Sequence, residues 1–293
     1  MTEPSIPKKI IWLASYPKSG NTWFRAFLTA LLNDGELDIN EMKTDGIFSS
    51  RAIFENRTDT DSTELYEEEV KNMLPGVFCD LASDCHKEHL FIKIHDAYTM
   101  NANNIPVVPA GPTICAMYFI RNPLDVAASF ASHNASTIND AIKLMNNPMG
   151  CMAKQKGNYN VLNQFPQLTL SWSGHVESWT GNLPFPVMVL RYEDMLADTL
   201  ATFTKAIEFT GITVEPGQIE KAIAASKFEQ LQQKEQAKGF SEKTIFSKRF
   251  FRKGQTGGWK NELTEDQAQL IIAHHEAIMK KYNYTMAAEK EPK

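Results

Sequence analysis

The chain has few cysteines and no long apolar run, and each shortage excludes a class of protein. Its four cysteines form no C-x-x-C pair, which favours reduced thiols over a disulfide framework. No apolar stretch approaches the length that spans a bilayer, and the initial residues MTEPSIPKK lack the apolar segment of a secretion signal. We therefore expect a cytoplasmic location and no membrane partner.

The chain also lacks an excess of positive charge and the usual spacings of metal ligands. The formal net charge of −5 argues against nucleic acid as the main partner. The group C-x5-C-H-x2-H, at Cys79, Cys85, His86 and His89, departs from the usual structural zinc patterns, so we expect no metal. The G-x-x-x-x-G-K-[ST] loop of kinases and GTPases is missing as well.

Apolar strands alternate with amphipathic helices along most of the chain. Strands are predicted at 10–15, 90–94, 113–120 and 187–190, and helices at 21–32, from Pro123 onward, and at 171–180, 194–210, 215–225 and 265–282. This order predicts an α/β protein, with a single domain over residues 1–293 and a mostly parallel central sheet flanked by helices. Ligands of such sheets bind beyond the carboxyl ends of the strands.

Residues 10–32, IIWLASYPKSGNTWFRAFLTALL, predict a buried strand, a tight turn and an amphipathic helix. Pro17 cannot continue a strand ladder, and Gly20 permits a positive φ. Free N–H groups, hydroxyls and a lysine therefore converge at this turn, in Lys18, Ser19, Gly20, Asn21 and Thr22. Such a turn suits a phosphate, although a strand–turn–helix without a ligand fits the same residues.

Two later segments supply cationic groups. RNPLDVAAS places Arg121 at the end of a predicted strand and Ser129 eight residues further on. Both side chains suit a phosphate, but a surface salt bridge and a helix-filling serine explain them equally well. FFRKGQTGGWK combines Arg252, Lys253 and Gly254 in a basic loop that either closes over an anion or forms an exposed turn.

A candidate base lies in FIKIHDA, where Lys93 and His95 are two residues apart on a predicted strand. Alternate residues of a strand face the same side, so both side chains are expected to point into one cleft. An imidazole titrates near about 6.5 and can take a proton at neutral pH. A lone histidine after a strand is, however, more often structural.

Taken together, these motifs resemble the sulfotransferases that use PAPS (3′-phosphoadenosine 5′-phosphosulfate). The likeness rests on YPKSGNTW, the K-x-H pair, the Arg-x7-Ser pair, LRYEDM at 190–195 and the RKGxxGxWK pattern, and it spans about residues 10–260. It implies a P-loop-like nucleotide-binding sulfotransferase fold. Asn21 stands where the family usually has a second threonine, and the dimer motif of vertebrate members is not reproduced, so no oligomeric state is predicted.

The resemblance also implies a role for each residue. It places the donor's 5′-phosphate on Lys18, Ser19, Gly20, Asn21 and Thr22, and its 3′-phosphate on Arg121, Ser129, Arg252, Lys253 and Gly254. It places the adenine between Trp23 and Phe228, with Tyr192 near the adenosine. His95 is then the general base, Lys18 stabilises the leaving group, and Lys93 assists on the sulfuryl oxygens.

The predicted function is sulfuryl transfer from PAPS to a hydroxyl or amine of a small-molecule acceptor, with PAP (adenosine 3′,5′-bisphosphate) as product. The segment 33–88 is expected to be acidic and loop-rich, and the segment 134–168 is less regular and rich in Asn, Met and Lys. Each forms either an acceptor-side lid or a solvated insertion. The acidic residues between positions 34 and 69 would attract a cationic or polar acceptor if they form its rim. The alternatives are a nucleotide-dependent phosphotransferase or kinase, and a nucleotide-binding module without turnover.

Overall fold

The computed structural model of the protein describes residues 6–153, 162–243, 247 and 249–284. The strands in these ranges are β1 (Ile10–Ser15), β2 (Leu90–Ile94), β3 (Thr113–Ile120), β4 (Cys151–Met152), β5 (Gln167–Leu168) and β6 (Val187–Arg191). Four of them form a parallel sheet in the order β2-β1-β3-β6, while β4 and β5 pair separately as a short antiparallel ladder.

Helices cover both faces of the parallel sheet. Those in the described ranges are α1 (Asn21–Leu31), α2 (Arg51–Thr58), α3 (Glu67–Asp84), α4 (Pro123–Asn134), α5 (Ile138–Asn146), α6 (Trp172–Thr180), α7 (Tyr192–Ala197), α8 (Thr199–Thr210), α9 (Gln218–Ala225), α10 (Phe228–Lys238) and α11 (Glu265–Lys281). Short 3₁₀ turns lie at Ser62–Glu64 and Gly258–Asn261. No helix within the described residues is long and apolar enough to cross a membrane.

The alternation of side chains along β1 explains the two-sided core. Every residue of β1 is buried, and the strand lies between β2 and β3. Trp12 points to one face, where its ring packs 5.2 Å from that of Phe78 in α3. Leu13 points to the other face and joins the cluster that holds Phe24 of α1. Successive strand residues face opposite sides, so one apolar strand supports two helical layers.

The predicted α/β class and mostly parallel sheet are confirmed, and the strand bounds agree with the sequence to within one residue. The predicted helix 194–210 is instead two helices, α7 and α8, which begin earlier, at Tyr192. They meet at Asp198, whose extended backbone ends α7 and whose carboxylate accepts from the amide of Ala201 to cap α8. The apolar residues of the two helices follow one continuous helical spacing in the sequence, so the break at Asp198 was not predicted.

The expectation that residues 33–88 are loop-rich was wrong, because this segment holds α2 and the 18-residue α3. Pro75 and Gly76 obscure α3 in the sequence, yet the helix buries Leu74, Val77 and Phe78 against the sheet. Residues 134–168 likewise contain α5, β4 and β5. Part of that predicted insertion, residues 154–161, lies outside the described residues.

Candidate active site

A cavity of about 950 Å³ opens beyond the carboxyl ends of the parallel strands. It is bordered by the turn after β1, the end of β2, the start of α4 and the segment between α10 and α11. The predicted site residues that line it are Lys18, Gly20, Asn21, Thr22, Trp23, Lys93, His95, Arg121, Ser129, Tyr192, Phe228, Arg252, Lys253 and Gly254. Motifs more than 200 residues apart in sequence therefore share one cleft.

The turn after β1 borders this cavity. Lys18 and Gly20 both have positive φ, at 71° and 103°. A Cβ at position 20 would lie 2.7 Å from Cδ2 of Tyr192, so both the conformation and the space demand glycine. The carbonyl of Gly20 accepts from the amides of Trp23 and Phe24 at 3.0 and 3.2 Å, so the helix begins at Asn21 with the positive end of its dipole at this turn. The turn is thus built to receive an anion.

Ser19 is the one predicted site residue that does not line the cavity. It is 1 % exposed, and its Oγ has no hydrogen-bond partner in the described part of the chain. A buried hydroxyl without a partner costs free energy comparable to a lost hydrogen bond. An anion held by the neighbouring amides would give this hydroxyl an acceptor.

The side chain of Asn21 points back toward the strand rather than toward the turn. Its Nδ2 donates to the carbonyl of Leu13 at 2.9 Å, and its Oδ1 accepts from Nε of Arg25 at 3.0 Å. Thr22 is also engaged, because its Oγ1 accepts from Arg25 at 3.2 Å. Asn21 therefore fixes the turn with its side chain and faces the cavity with its backbone.

Lys18 lies beneath the aromatic wall of the cleft. Its Nζ is 4.1 Å from the centroid of the Phe250 ring, a cation–π contact. Burial first, and then the nearby cations of Arg121 and Lys93, lower the pKa of Lys18 to about 7. Removing an ammonium from water and surrounding it with like charge both favour the neutral amine. A bound anion would reverse that balance.

His95 is held in one tautomer. Its Nδ1 lies 2.9 Å from the carbonyl oxygen of Ser15, which only accepts, so Nδ1 carries the proton and Nε2 keeps its lone pair. Burial, and then the charge of Lys93, hold the pKa of His95 well below its usual range. The imidazole is therefore already neutral at neutral pH and ready to accept a proton.

A second histidine, His175, supports the backbone at His95. Its Nε2 donates to the carbonyl of His95 at 3.1 Å, and its Nδ1 accepts from the hydroxyl of Tyr118 at 2.8 Å. His175 is fully buried, and burial lowers its pKa to about 3. The sequence indicates only a packing residue here, because its partners lie 57 and 80 positions away.

Arg121 lies at the start of the segment that leads into α4, and its Nη1 donates to the carbonyl of Lys18 in the turn after β1 at 3.3 Å. Its guanidinium lies 4.3 Å above the ring of Tyr192 and donates to the carbonyl of Gln255 at 2.9 Å. Its Nε is buried with no hydrogen-bond partner among the described residues. Ser129 lines the same region, two turns along α4. Arg121 and Ser129 therefore add a cation and a hydroxyl to the same cavity as the turn after β1.

Two acidic side chains, neither of which was predicted as a site residue, form hydrogen bonds with the basic loop. The carboxylate of Glu262 accepts hydrogen bonds from both terminal guanidinium nitrogens of Arg252, at 2.7 and 3.0 Å. It also accepts from Nζ of Lys253 at 2.7 Å. Asp125, buried on α4, accepts from the amides of Gly257 and Trp259 at 2.8 and 3.0 Å. Asp125 thereby joins the Arg121 segment to the basic loop.

The two aromatics predicted to bracket a base lie at one end of the cavity. Trp23 is anchored through its indole N–H, which donates to the carbonyl of Ser226 at 3.0 Å. Phe228 begins α10 and packs against Gly254, where a Cβ would overlap its ring. Gly254 also has a φ of 60°. The loop can approach the aromatic ring closely only because position 254 is glycine.

The other end of the cavity differs from the rim expected from the acidic segment. None of the described acidic side chains between positions 34 and 69 lines it. Its lining here is mixed apolar and amide, with Ile47, Phe130, Leu144, Met152, Gln164 and Gln167. These residues belong to the segments 33–88 and 134–168, together with α4.

Comparison with known proteins identifies the family of this chain. Residues 8–283 match the family model described as the sulfotransferase domain. The chain belongs to the sulfotransferase family. The predicted family and enzyme class, sulfotransferase, are therefore confirmed.

Individual relatives are distant. This sulfotransferase is 31 % identical to rat sulfotransferase 2A1 over 103 residues, which cover only 34 % of this chain and 36 % of that protein. It is 26 % identical to bovine sulfotransferase 1E1 over 285 residues, or 92 % of this chain and 82 % of the relative. Among solved structures, retinol dehydratase in complex with androsterone and PAP superposes with a TM-score of 0.61. That likeness has 20 % identity and covers 94 % and 82 % of the two chains, and it shows a shared fold.

Proposed function

We propose that this sulfotransferase moves the sulfuryl group of PAPS to a hydroxyl or amine of a small-molecule acceptor. One observation carries the proposal. Two groups of anion-binding residues, in the turn after β1 and in Arg121 with the basic loop, line one cavity. A nucleotide with phosphates on both sides of its ribose would use both groups, whereas a single phosphate would leave one of them unused.

The residues present fit the donor. Lys18, the free amides of the turn and the unpartnered hydroxyl of Ser19 suit the 5′-phosphosulfate. Arg121, Ser129, Arg252 and Lys253, with the backbone of Gly254, suit the 3′-phosphate, and Trp23, Tyr192 and Phe228 suit the adenosine. PAP is bound in the retinol dehydratase structure, which supports this assignment.

The chemistry follows from the groups between the two phosphate positions. The donor supplies an activated sulfuryl group, which passes to the acceptor as the S–O bond to the leaving group breaks. His95 takes the acceptor proton on Nε2. Lys18 neutralises charge on the bridging oxygen of the leaving phosphate, and Lys93 steadies the sulfuryl oxygens. Transfer of this type depends mainly on positioning and on charge stabilisation, which these side chains provide.

We propose that the acceptor binds against the mixed apolar and amide lining of the cavity. Androsterone and retinol are bound in retinol dehydratase structures, which supports a small-molecule acceptor here. The lining residues from 33–88 and 134–168 support the interpretation of these segments as acceptor-side insertions in a single domain. The low cysteine content, without a C-x-x-C pair, agrees with the cytoplasmic location that we propose.

Two other functions make different predictions. A phosphotransferase would prefer ATP to PAP, although here the turn lysine precedes the glycine instead of following it. A binding module would hold PAP without turnover, although a neutral His95 facing the cavity is arranged for proton transfer.

The test is acceptor-dependent conversion of PAPS to PAP, followed by mass spectrometry with a panel of alcohols, phenols and amines. We expect His95→Ala and Lys18→Ala each to lower kcat by about 100-fold or more, with the fold retained. The matched controls His274→Ala and Lys205→Ala change exposed side chains and should keep wild-type rates. A wild-type protein that makes no PAP with any acceptor, or a fully active His95→Ala variant, would contradict the proposal.

A further inference from the structure

Three charged side chains from distant parts of the chain meet on the wall of the cavity, and no recognised motif contains the acidic one. Glu242 accepts from both guanidinium nitrogens of Arg25, each at 2.7 Å. Its Oε2 also receives Nζ of Lys93 at 3.1 Å. The side chains of Arg25, Lys93 and Glu242 are 3 %, 16 % and 32 % exposed. The cluster is therefore largely shielded from water.

The carboxylate of Glu242 offsets the positive charge of the side chains around it. Arg25 cannot move away, because Asn21 and Thr22 also hold its guanidinium. Lys93 interacts electrostatically with five titratable or charged groups among the described residues. These are Arg25 on α1, Lys18 in the turn after β1, His95 beyond β2, His133 on α4 and Glu242. Among these described groups only Glu242 is an anion. Without it, a buried ammonium would lie beside a fixed guanidinium with nothing to offset their repulsion.

We propose that Glu242 is a positioning residue, whose carboxylate holds the ammonium of Lys93 in the cavity beside His95. It acts on the reaction through Lys93 and does not need to touch donor or acceptor. That Lys93 contacts the sulfuryl group rests on the proposed function, whereas the control of Lys93 by Glu242 does not.

The direction of the electrostatic effects agrees with this geometry. Burial, and then Arg25, lower the pKa of Lys93 to about 8, and Glu242 opposes that shift. Burial of Glu242 would raise its pKa, but Arg25 and Lys93 outweigh burial and hold that pKa below its usual range. Loss of the carboxylate charge therefore makes Lys93 release its proton at a lower pH.

The first test measures Lys93 directly. Lysines carrying ¹³C-methyl groups retain their charge, and the Lys93 resonance is assigned by its absence from a Lys93→Arg variant. We expect Glu242→Gln to lower the titration midpoint of Lys93 by about one pH unit or more. The control Glu229→Gln removes the same charge from an exposed site and should leave the midpoint unchanged. An unchanged midpoint in Glu242→Gln would overturn the inference.

The second test separates positioning from a purely structural role through the pH profile of kcat/KM for PAPS, which reports pKa values of the free enzyme. If the midpoint of Lys93 falls from about 8 to about 7, the charged fraction at pH 8 falls from about half to about a tenth. Glu242→Gln should then match the wild-type kcat/KM for PAPS at pH 6 and have a kcat/KM about fivefold lower at pH 8. A loss by the same factor at both pH values would overturn the inference.

A second variant keeps the test decisive if Glu242→Gln does not fold. Glu242→Asp retains the charge but shortens its reach, so it should shift the Lys93 midpoint downward by less than the glutamine variant. A Lys93 midpoint identical to wild type in Glu242→Asp would then count against the inference. A wild-type enzyme that does not turn over PAPS would refute the proposed function, while the Lys93 midpoint would still decide the role of Glu242.

Discussion

Binding of PAP should take up protons above neutral pH, because the cavity holds two lysines whose pKa values are lowered in the free protein. Burial is the main cause for both, and it brings the pKa of Lys18 to about 7 and that of Lys93 to about 8. Phosphate charge placed beside them favours the ammonium forms. Each lysine should therefore titrate at a higher pH in the complex than in the free protein.

The size of the effect follows from these values. At pH 8, Lys18 is about 90 % neutral and Lys93 about half neutral, so PAP binding should take up about 1.4 protons. At pH 6 both lysines are already charged, and their uptake should be close to zero. Since the pKa values are higher in the complex, the affinity for PAP is close to its maximum at pH 6 and weakens as the pH rises through 7 and 8. The fall should be about tenfold between pH 7 and pH 8.

Calorimetry in buffers of different ionisation enthalpy measures this uptake directly. Work at pH 8 is preferable, because phosphates with a second pKa near about 6 are then fully ionised and add little. Lys18→Met should reduce the uptake to about 0.5 proton. The exposed control Lys205→Met should leave it at about 1.4. Uptake near zero at pH 8 in the wild-type protein would refute the reasoning.

Two further predictions concern the basic loop. Gly254→Ala should weaken PAP binding by about tenfold or more in calorimetry, because a Cβ would overlap Phe228 and the φ of 60° costs a non-glycine residue about 1–2 kcal/mol. Asp125→Asn should cost about 1–3 kcal/mol of unfolding free energy in denaturant titration, since an amide nitrogen cannot accept from one of the two loop N–H groups. Wild-type PAP affinity in the first variant, or a loss no larger than in the exposed control Asp80→Asn in the second, would contradict these assignments.

The sequence predicted those parts of the fold whose signals are local. The run Ile10–Ser15 is apolar throughout, Pro17 and Gly20 interrupt it, and the following helix has a regular apolar stripe. α10 was not predicted, because its sequence FEQLQQKEQAK buries only Leu231 and shows almost no periodicity. Phe228, the first residue of α10, packs instead against Gly254 of the basic loop, which is a long-range contact.

The candidate site divides in the same way. Residues in contiguous motifs, such as Lys18 and His95, were found because the turn chemistry and the K-x-H spacing are local. Glu242 was missed, since its partner Arg25 lies 217 positions away and no spacing in the chain links them. Glu262 was missed because an acid near a basic loop has no local signature until its contacts with Arg252 are seen. Long-range ion pairs form only in the folded chain.

Calorimetric comparison of PAP with adenosine 5′-monophosphate tests the central claim most directly, namely that one cavity holds two phosphate positions. The two ligands differ only in the 3′-phosphate, whose proposed partners include Arg121 and Arg252. A charge-assisted hydrogen bond contributes about 1.5–3 kcal/mol, so PAP should bind at least about tenfold more tightly at the same pH and salt. Equal affinities would show that Arg121 and the basic loop do not bind a phosphate, and would contradict the two-phosphate site.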